Sequence, residues 1–221
     1  CIRDSIKAKY FLDLEIIDIK QSTRGQAETC LIAIKEFSIN AEDQLIITNC
    51  DQFTPWNPYK FEAFLRENKP DGLVSTYNHP IVELGKESPY SHVEIGEDGY
   101  AKHLTEKFAT SKLSLNGIFY WKKCQYFVDS ADEMMKDNSE SGWGSGAFSS
   151  RKEKYVAPSY NYMINKGYKV VNYHMEDDEF LSLGTPTDIL IHIKRQNVLQ
   201  AVEDLKTVSY THLTLPTTTI V

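Results

Sequence analysis

Apolar positions along the chain fall into two rhythms, a spacing of three and four that marks helices and short apolar or alternating runs that mark strands. Leu14 to Ile19 (LEIIDI) carries branched residues and predicts a strand; the polar turn Gln21-Ser22-Thr23-Arg24-Gly25 follows. From Gln26 to Phe37, Ala27, Cys30, Leu31, Ile34 and Phe37 recur at helical spacing. Gln44 to Thr48 (QLIIT) is a short, nearly unbroken apolar run, the pattern of a central strand buried on both faces. It ends in the polar stretch Asn49-Cys50-Asp51-Gln52. A helix around Lys60 to Glu67 and a strand from Gly72 to Tyr77 complete a strand–helix–strand alternation, which predicts a largely parallel, three-layer α/β sheet.

The second half changes rhythm. His92 to Ile95 and Ala101 to Thr105 flank Glu97-Asp98-Gly99, a hairpin signal, and Leu113 to Trp121 reads as a further strand, so the sheet is expected to be mixed. Cys124 to Lys136 is an amphipathic helix, and Asn138 to Lys152 is a Gly/Ser-rich loop with the composition of a lid. Pro158 opens a helix running to Asn165 with Gly167 as its stop signal, Tyr168 to Tyr173 is a strand, and Thr185-Pro186-Thr187-Asp188 opens a last helix with Pro in its first turn. No internal repeat and no linker marks a second domain.

Both termini read as something other than protein, and such segments are set aside before fold reasoning. Cys1 to Ser5 back-translates to TGT ATA AGA GAC AG plus one base, similar to the mosaic end of a transposon-based library kit. Val208 to Thr217 (VSYTHLTLPT) back-translates to that end's complement running into the kit's read primer. Residues 1–5 and 208–221 are therefore expected to be adaptor translation, leaving one domain over residues 6–207.

Composition narrows the partners. The net charge of −7 argues against nonspecific binding to nucleic acid or an anionic membrane. Cys30, Cys50 and Cys124 are isolated, without the paired spacing of zinc or redox sites, and no apolar run approaches the roughly 20 residues of a membrane span. The pattern is that of a reduced, cytoplasmic protein. The histidines show no metal-binding spacing.

Three places carry candidate chemistry. Asp51 ends a strand, where ligands of open α/β sheets bind, and its carboxylate suits either a magnesium ion bridging nucleotide phosphates or the capping of a turn. Glu106-Lys107 puts a carboxylate and a cation together at a sheet edge, matched to sugar hydroxyls and a phosphate, yet an exposed pair of this kind is commonplace. Gln26 opens a helix after a glycine, where its amide can read a nucleobase edge or be an ordinary first-turn residue. Spacing alone decides none of these.

Taken in order, Thr23 to Thr29 (TRGQAET), Leu45 to Gln52 (LIITNCDQ), Glu97 to Lys107 (EDGYAKHLTEK), Asn116 to Tyr120 (NGIFY), Tyr155 to Asn161 (YVAPSYN) and Gly184 to Leu190 (GTPTDIL) make the chain resemble the sugar-phosphate nucleotidyltransferases. These are enzymes of the glucose-1-phosphate thymidylyltransferase and mannose-1-phosphate guanylyltransferase type. The resemblance covers nearly all of residues 6–207. It implies a Rossmann-like three-layer sandwich with a mixed, mostly parallel sheet, and transfer of a nucleotidyl group from a nucleoside triphosphate to a sugar-1-phosphate, for surface-polysaccharide precursors. It further implies that Gln26 and Asn49 contact the nucleotide, that Asp51 binds Mg2+, and that Glu106, Lys107, Gly117 and Glu153 meet the sugar phosphate, with Lys107 and Asp51 carrying catalysis. Self-association is left open.

Two departures accompany it. Ser182 stands where many family members carry a second metal-binding Asp, so that ligand is absent or supplied by Asp177, Asp178 or Glu179. The family's opening strand and GxGxR phosphate loop have no counterpart, so the expected sheet lacks its first strand and loop, and the 221-residue chain is expected to be inactive. The rival readings are a metal-dependent glycosyltransferase, which usually shows Asp-x-Asp where this chain has Asn49-Cys50-Asp51, and a non-catalytic nucleotide- or sugar-binding module.

Overall fold

The computed structural model describes residues 15–55, 57–78, 82–137, 153–176, 180–193 and 217–220. Helix α1 (Gln26–Glu36) is followed by β1 (Gln44–Thr48), the short β2 (Gln52–Phe53), α2 (Pro58–Asn68), β3 (Gly72–Asn78), β4 (Glu87–Ile95), β5 (Ala101–Phe108) and β6 (Leu113–Trp121). Then come α3 (Cys124–Lys136), α4 (Ser159–Asn165), β7 (Val170–His174), the short β8 (Leu181–Ser182), α5 (Pro186–Ile193) and β9 (Thr217–Ile220). The Gly/Ser-rich stretch 138–152 and the acidic triplet 177–179 lie outside the described residues.

Local chemistry explains several boundaries. Asn57 caps α2 by accepting from the amides of Tyr59 and Lys60 at 2.9 and 3.2 Å, and Pro58 occupies the first turn, where its missing N–H costs nothing. Lys69 ends the helix in the left-handed conformation, and Pro70 then bars its continuation. At α1, the Glu28 carboxylate reaches back to the amide of Arg24 at 2.5 Å and to its guanidinium at 2.8 and 3.0 Å, fixing the entry turn.

Among the described residues seven strands form one mixed sheet, with β9–β1–β6–β3–β7 side by side and the β4/β5 hairpin attached to the first half of β6 through His92 and Ser114. β1 and β3 both run antiparallel to β6, Leu45 and Gly72 flanking Trp121 from either side, while β7 runs parallel to β3. The expectation of a mixed sheet holds, and most strands share one direction. The strand–helix–strand pattern, however, makes β1 and β3 look like neighbours, and β6 lies between them. Thr217–Ile220, inside the segment expected to be adaptor-encoded, pairs in parallel with β1.

Alternate side chains of each strand leave the sheet on opposite faces and enter two cores. Leu45, Ile47, Val74, Phe119, Trp121 and Val170 pack with α1, α3 and α4, whereas Ile46, Leu73, Tyr120 and Val171 pack with Phe61, Phe64 and Leu65 of α2. Helices on both faces make the three layers. At the centre of the larger core Tyr160 stacks on Trp121, with ring centroids 4.7 Å apart, and its hydroxyl lies 2.9 Å from the carbonyls of both Leu73 and Tyr120.

One predicted strand is absent. Glu15 to Lys20 has no regular structure and Ile16 is 51% exposed; of its branched residues Ile17 packs on the core. β4 and β5 extend beyond their predicted limits, to Glu87 and Phe108.

Candidate active site

Four chain segments converge at the carboxyl end of β1. The first is the turn into α1, where Gly25 has φ of 139° and its absent Cβ would stand 2.6 Å from the carbonyl oxygen of Lys154. Only a glycine fits there. The gap is closed by the amide of Lys154 donating to Arg24 O at 2.7 Å and the amide of Ala27 donating to Lys154 O at 3.0 Å, which lays Glu153 and Tyr155 beside Gln26.

The second is the Asn49-Cys50-Asp51 turn, exposed at the end of β1. Asn49 donates its amide to Gly117 O at 3.1 Å, and Gly117 sits at φ 80° with space for a Cβ already taken, 2.2 Å from Asn49 Nδ2. The bare Gly117 thus seats the Asn49 side chain against β6. Asp51 continues into β2, which pairs with β8 at Gln52–Ser182, and Asp51 O accepts the amide of Leu183 at 2.8 Å. Ser182 and Gly184 therefore flank Asp51, so the serine noted in the sequence at the place of a second metal-binding Asp does lie beside the first, while its alternatives Asp177, Asp178 and Glu179 lie outside the described residues.

The third segment is the end of β5. Glu106 pairs in register with Ser91, whose hydroxyl donates to the Glu106 carboxylate, and Lys107 adopts φ 58°, a left-handed bulge unusual for a side-chain-bearing residue. The sequence suggests an exposed pair; instead Glu106 is 5% exposed. Burial pushes its carboxyl up to about 7, Ser91 and Lys107 pulling it down and the charge of Glu153 adding to the rise.

The fourth segment is Glu153 to Ala157, where the Tyr155 hydroxyl donates to the Glu153 carboxylate and the Tyr155 ring lies under Lys107 Nζ, 4.9 Å from centroid to nitrogen. Hydrogen bonding to Tyr155 raises Lys107 above the ordinary lysine range, and Tyr155, Glu106 and Glu153 add to this electrostatically.

Together these segments enclose two adjoining cavities. The larger, of about 610 Å³, is lined by Gln26, Asn49, Asp51 and Glu153, among others, and the smaller, of about 220 Å³, by Gln26, Asn49, Glu106, Lys107 and Gly117. Gln26, Asn49, Phe119 and Tyr155 form the wall common to both. Every site residue picked from the sequence therefore lines one cleft, although they span positions 26 to 153. Sequence reasoning missed Ser91 and Tyr155. Tyr155 sits in a quoted motif, but its partners are distant along the chain.

Charge in the cleft is unbalanced. Asp51, Glu106 and Glu153 face one lining cation, Lys107, among the described residues. No group of three His, Cys, Asp or Glu side chains suited to a metal occurs among the described residues, so Asp51 brings a single carboxylate. Such a donor set suits Mg2+, which keeps most of its shell as water and substrate phosphate and binds through one or two carboxylates.

An open α/β sheet with its cleft at the carboxyl end of a central strand defines a ligand-binding class of fold. Within that class the chain shares its fold with solved sugar nucleotidyltransferases. It matches the nucleoside-diphosphate-sugar pyrophosphorylase from Vibrio cholerae RC9 with a TM-score of 0.69 at 18% identity, over 87% of this chain and 74% of that one. It matches the inositol-1-phosphate CTP transferase from T. maritima with a TM-score of 0.61 at 11% identity, over 94% and 73%. No protein-family model and no curated protein sequence matches the chain. No helix among the described residues is long and apolar enough to cross a membrane.

Proposed function

We propose that the chain carries the substrate cleft of a sugar-1-phosphate nucleotidyltransferase, supplying nucleotide sugars for surface-polysaccharide synthesis. The observation that supports this most is the convergence of Gln26, Asn49, Asp51, Glu106, Lys107, Gly117 and Glu153 on two joined cavities. The larger takes the nucleotide, with Gln26 and Asn49 against it; the smaller takes the sugar phosphate, with Lys107 at the phosphate and Glu106 toward the hydroxyls, while Glu153 reaches the sugar from the larger cavity's side of Tyr155.

In the reaction a sugar-phosphate oxygen attacks the α-phosphorus of the triphosphate, the bond to the β-phosphate oxygen breaks, and pyrophosphate leaves with the electron pair. Phosphoryl transfers of this type rest on positioning and charge stabilisation and need no protein nucleophile. Lys107, aimed by its left-handed backbone, offsets negative charge on the incoming phosphate, while the common wall of Gln26, Asn49, Phe119 and Tyr155 holds the two substrates side by side. Asp51 would hold Mg2+, which when bound neutralises charge on the nucleotide phosphates.

The test is pyrophosphate release by the protein from a panel of nucleoside triphosphates and hexose 1-phosphates. Asp51→Ala and Lys107→Met are each expected to lower kcat on the order of a hundredfold. Transfer of a sugar from a nucleotide sugar to an acceptor, with release of nucleoside diphosphate and no pyrophosphate, would overturn the proposal in favour of a glycosyltransferase.

A further inference from the structure

Tyr155 belongs to the wall common to both cavities and touches two charged residues of opposite sign. Its hydroxyl donates to the Glu153 carboxylate, and Lys107 Nζ stands 4.9 Å above the centre of its ring. The phenol is neutral, so anion and cation are joined through an uncharged group rather than in direct contact. That matters because Lys107 is the cation lining the cleft among the described residues, with Glu106 on its N-terminal side and Glu153 facing it across Tyr155. A lysine paired directly with a carboxylate presents little net charge to a phosphate. Nor can the backbone carry Lys107 away from Glu153, since its φ of 58° lies in a narrow allowed region. The spacer has to be a side chain.

We propose that Tyr155 is a positioning residue of the wall the two cavities share: it holds Lys107, in the smaller cavity, apart from Glu153, in the larger, so that the ammonium keeps its charge for the phosphate of a sugar-1-phosphate. The inference rests on the sugar-phosphate reading of the cavity for its ligand, though not for its geometry. The raised proton affinity of Lys107, led by its bond to Tyr155 with Glu106 and Glu153 contributing, accords with this arrangement.

Tyr155→Phe keeps the ring and deletes the hydroxyl. Zero-length carbodiimide cross-linking of the ligand-free protein, mapped by mass spectrometry, is expected to join Lys107 to Glu153 several-fold more in Tyr155→Phe than in the unsubstituted chain. Equal yields overturn the inference whether or not any ligand binds. In calorimetry with glucose 1-phosphate and mannose 1-phosphate, Tyr155→Phe is expected to weaken binding about tenfold, the scale of one hydrogen bond to a charged group. In a Lys107→Met background it is expected to have no further effect, an outcome a merely structural tyrosine would not give. Increased cross-linking with unchanged affinity also overturns the positioning role. Failure of both sugar phosphates to bind the unsubstituted chain refutes the sugar-phosphate reading instead, and the cross-linking then decides the spacer alone.

Discussion

Glu106 makes the protein's stability depend on pH in a window where few side chains titrate. Its carboxyl is buried at 5% exposure and pushed up to about 7 from an ordinary value of 4.5. Between those values the folded chain holds a proton that the unfolded chain has released, so stability falls as pH rises through the window. The contribution is fully present below 4.5 and gone above about 7. The gap between the two values corresponds to about 3 kcal/mol, a sizeable share of the roughly 5–15 kcal/mol that holds a domain folded. Urea unfolding followed by circular dichroism, in half-unit steps from pH 4.5 to 8, measures it for the unsubstituted chain and for Glu106→Gln. The difference between the two is expected to grow by about 3 kcal/mol in favour of Glu106→Gln as pH rises, a relative midpoint shift of about 1 M urea or more. Subtraction removes the titration of other groups. Ser91→Ala, which deletes a donor to the ionised form, is expected to move the window upward. A flat difference curve would refute the buried, protonated carboxyl.

Gly117→Ala places a Cβ 2.2 Å from Asn49 Nδ2 at a φ of 80°, and is expected to lower stability by about 1–3 kcal/mol, read as a drop in melting temperature; an unchanged melt would refute the close seating of Asn49. Asn161 grips the outer edge of β5 with both ends of its amide, donating to Leu104 O at 2.9 Å and accepting from Leu104 N at 2.8 Å. Asn161→Ala is expected to cost about 1–3 kcal/mol and to speed hydrogen exchange at the Leu104 amide; unaltered exchange there would count against the grip. Lys154 donates Nζ to Met134 O at 2.8 Å and Asp137 O at 2.6 Å, closing the C-terminal end of α3. Lys154→Met is expected to cost about 1–3 kcal/mol in urea unfolding, and equal midpoints would show that those carbonyls find other partners.

Features governed by near neighbours were legible in the sequence. α3 and β6 begin and end where their periodicity does, and β1 spans the predicted QLIIT. α1 and α2 lie within a residue or two of expectation. What failed was anything settled by distant partners. Glu15 to Ile19 has strand composition yet forms no strand, and the insertion of β6 between β1 and β3 depends on residues far downstream of both. The site divides the same way. Asp51, Gln26 and Lys107 line the cleft, and the sequence drew attention to each because it stands at or near the end or the opening of an element. The burial of Glu106 and the link from Tyr155 to Lys107 were not, because both arise where β4 and the Glu153–Ala157 segment close over β5.

The crossing at Gly25 has a mechanical consequence. Arg24 to Ala27 and Lys154 are locked by two backbone hydrogen bonds across a gap too narrow for a methyl group, so the start of α1 and the strand-like run carrying Glu153 and Tyr155 behave as a welded joint rather than a hinge. On that side neither cavity widens without dragging the wall of the other.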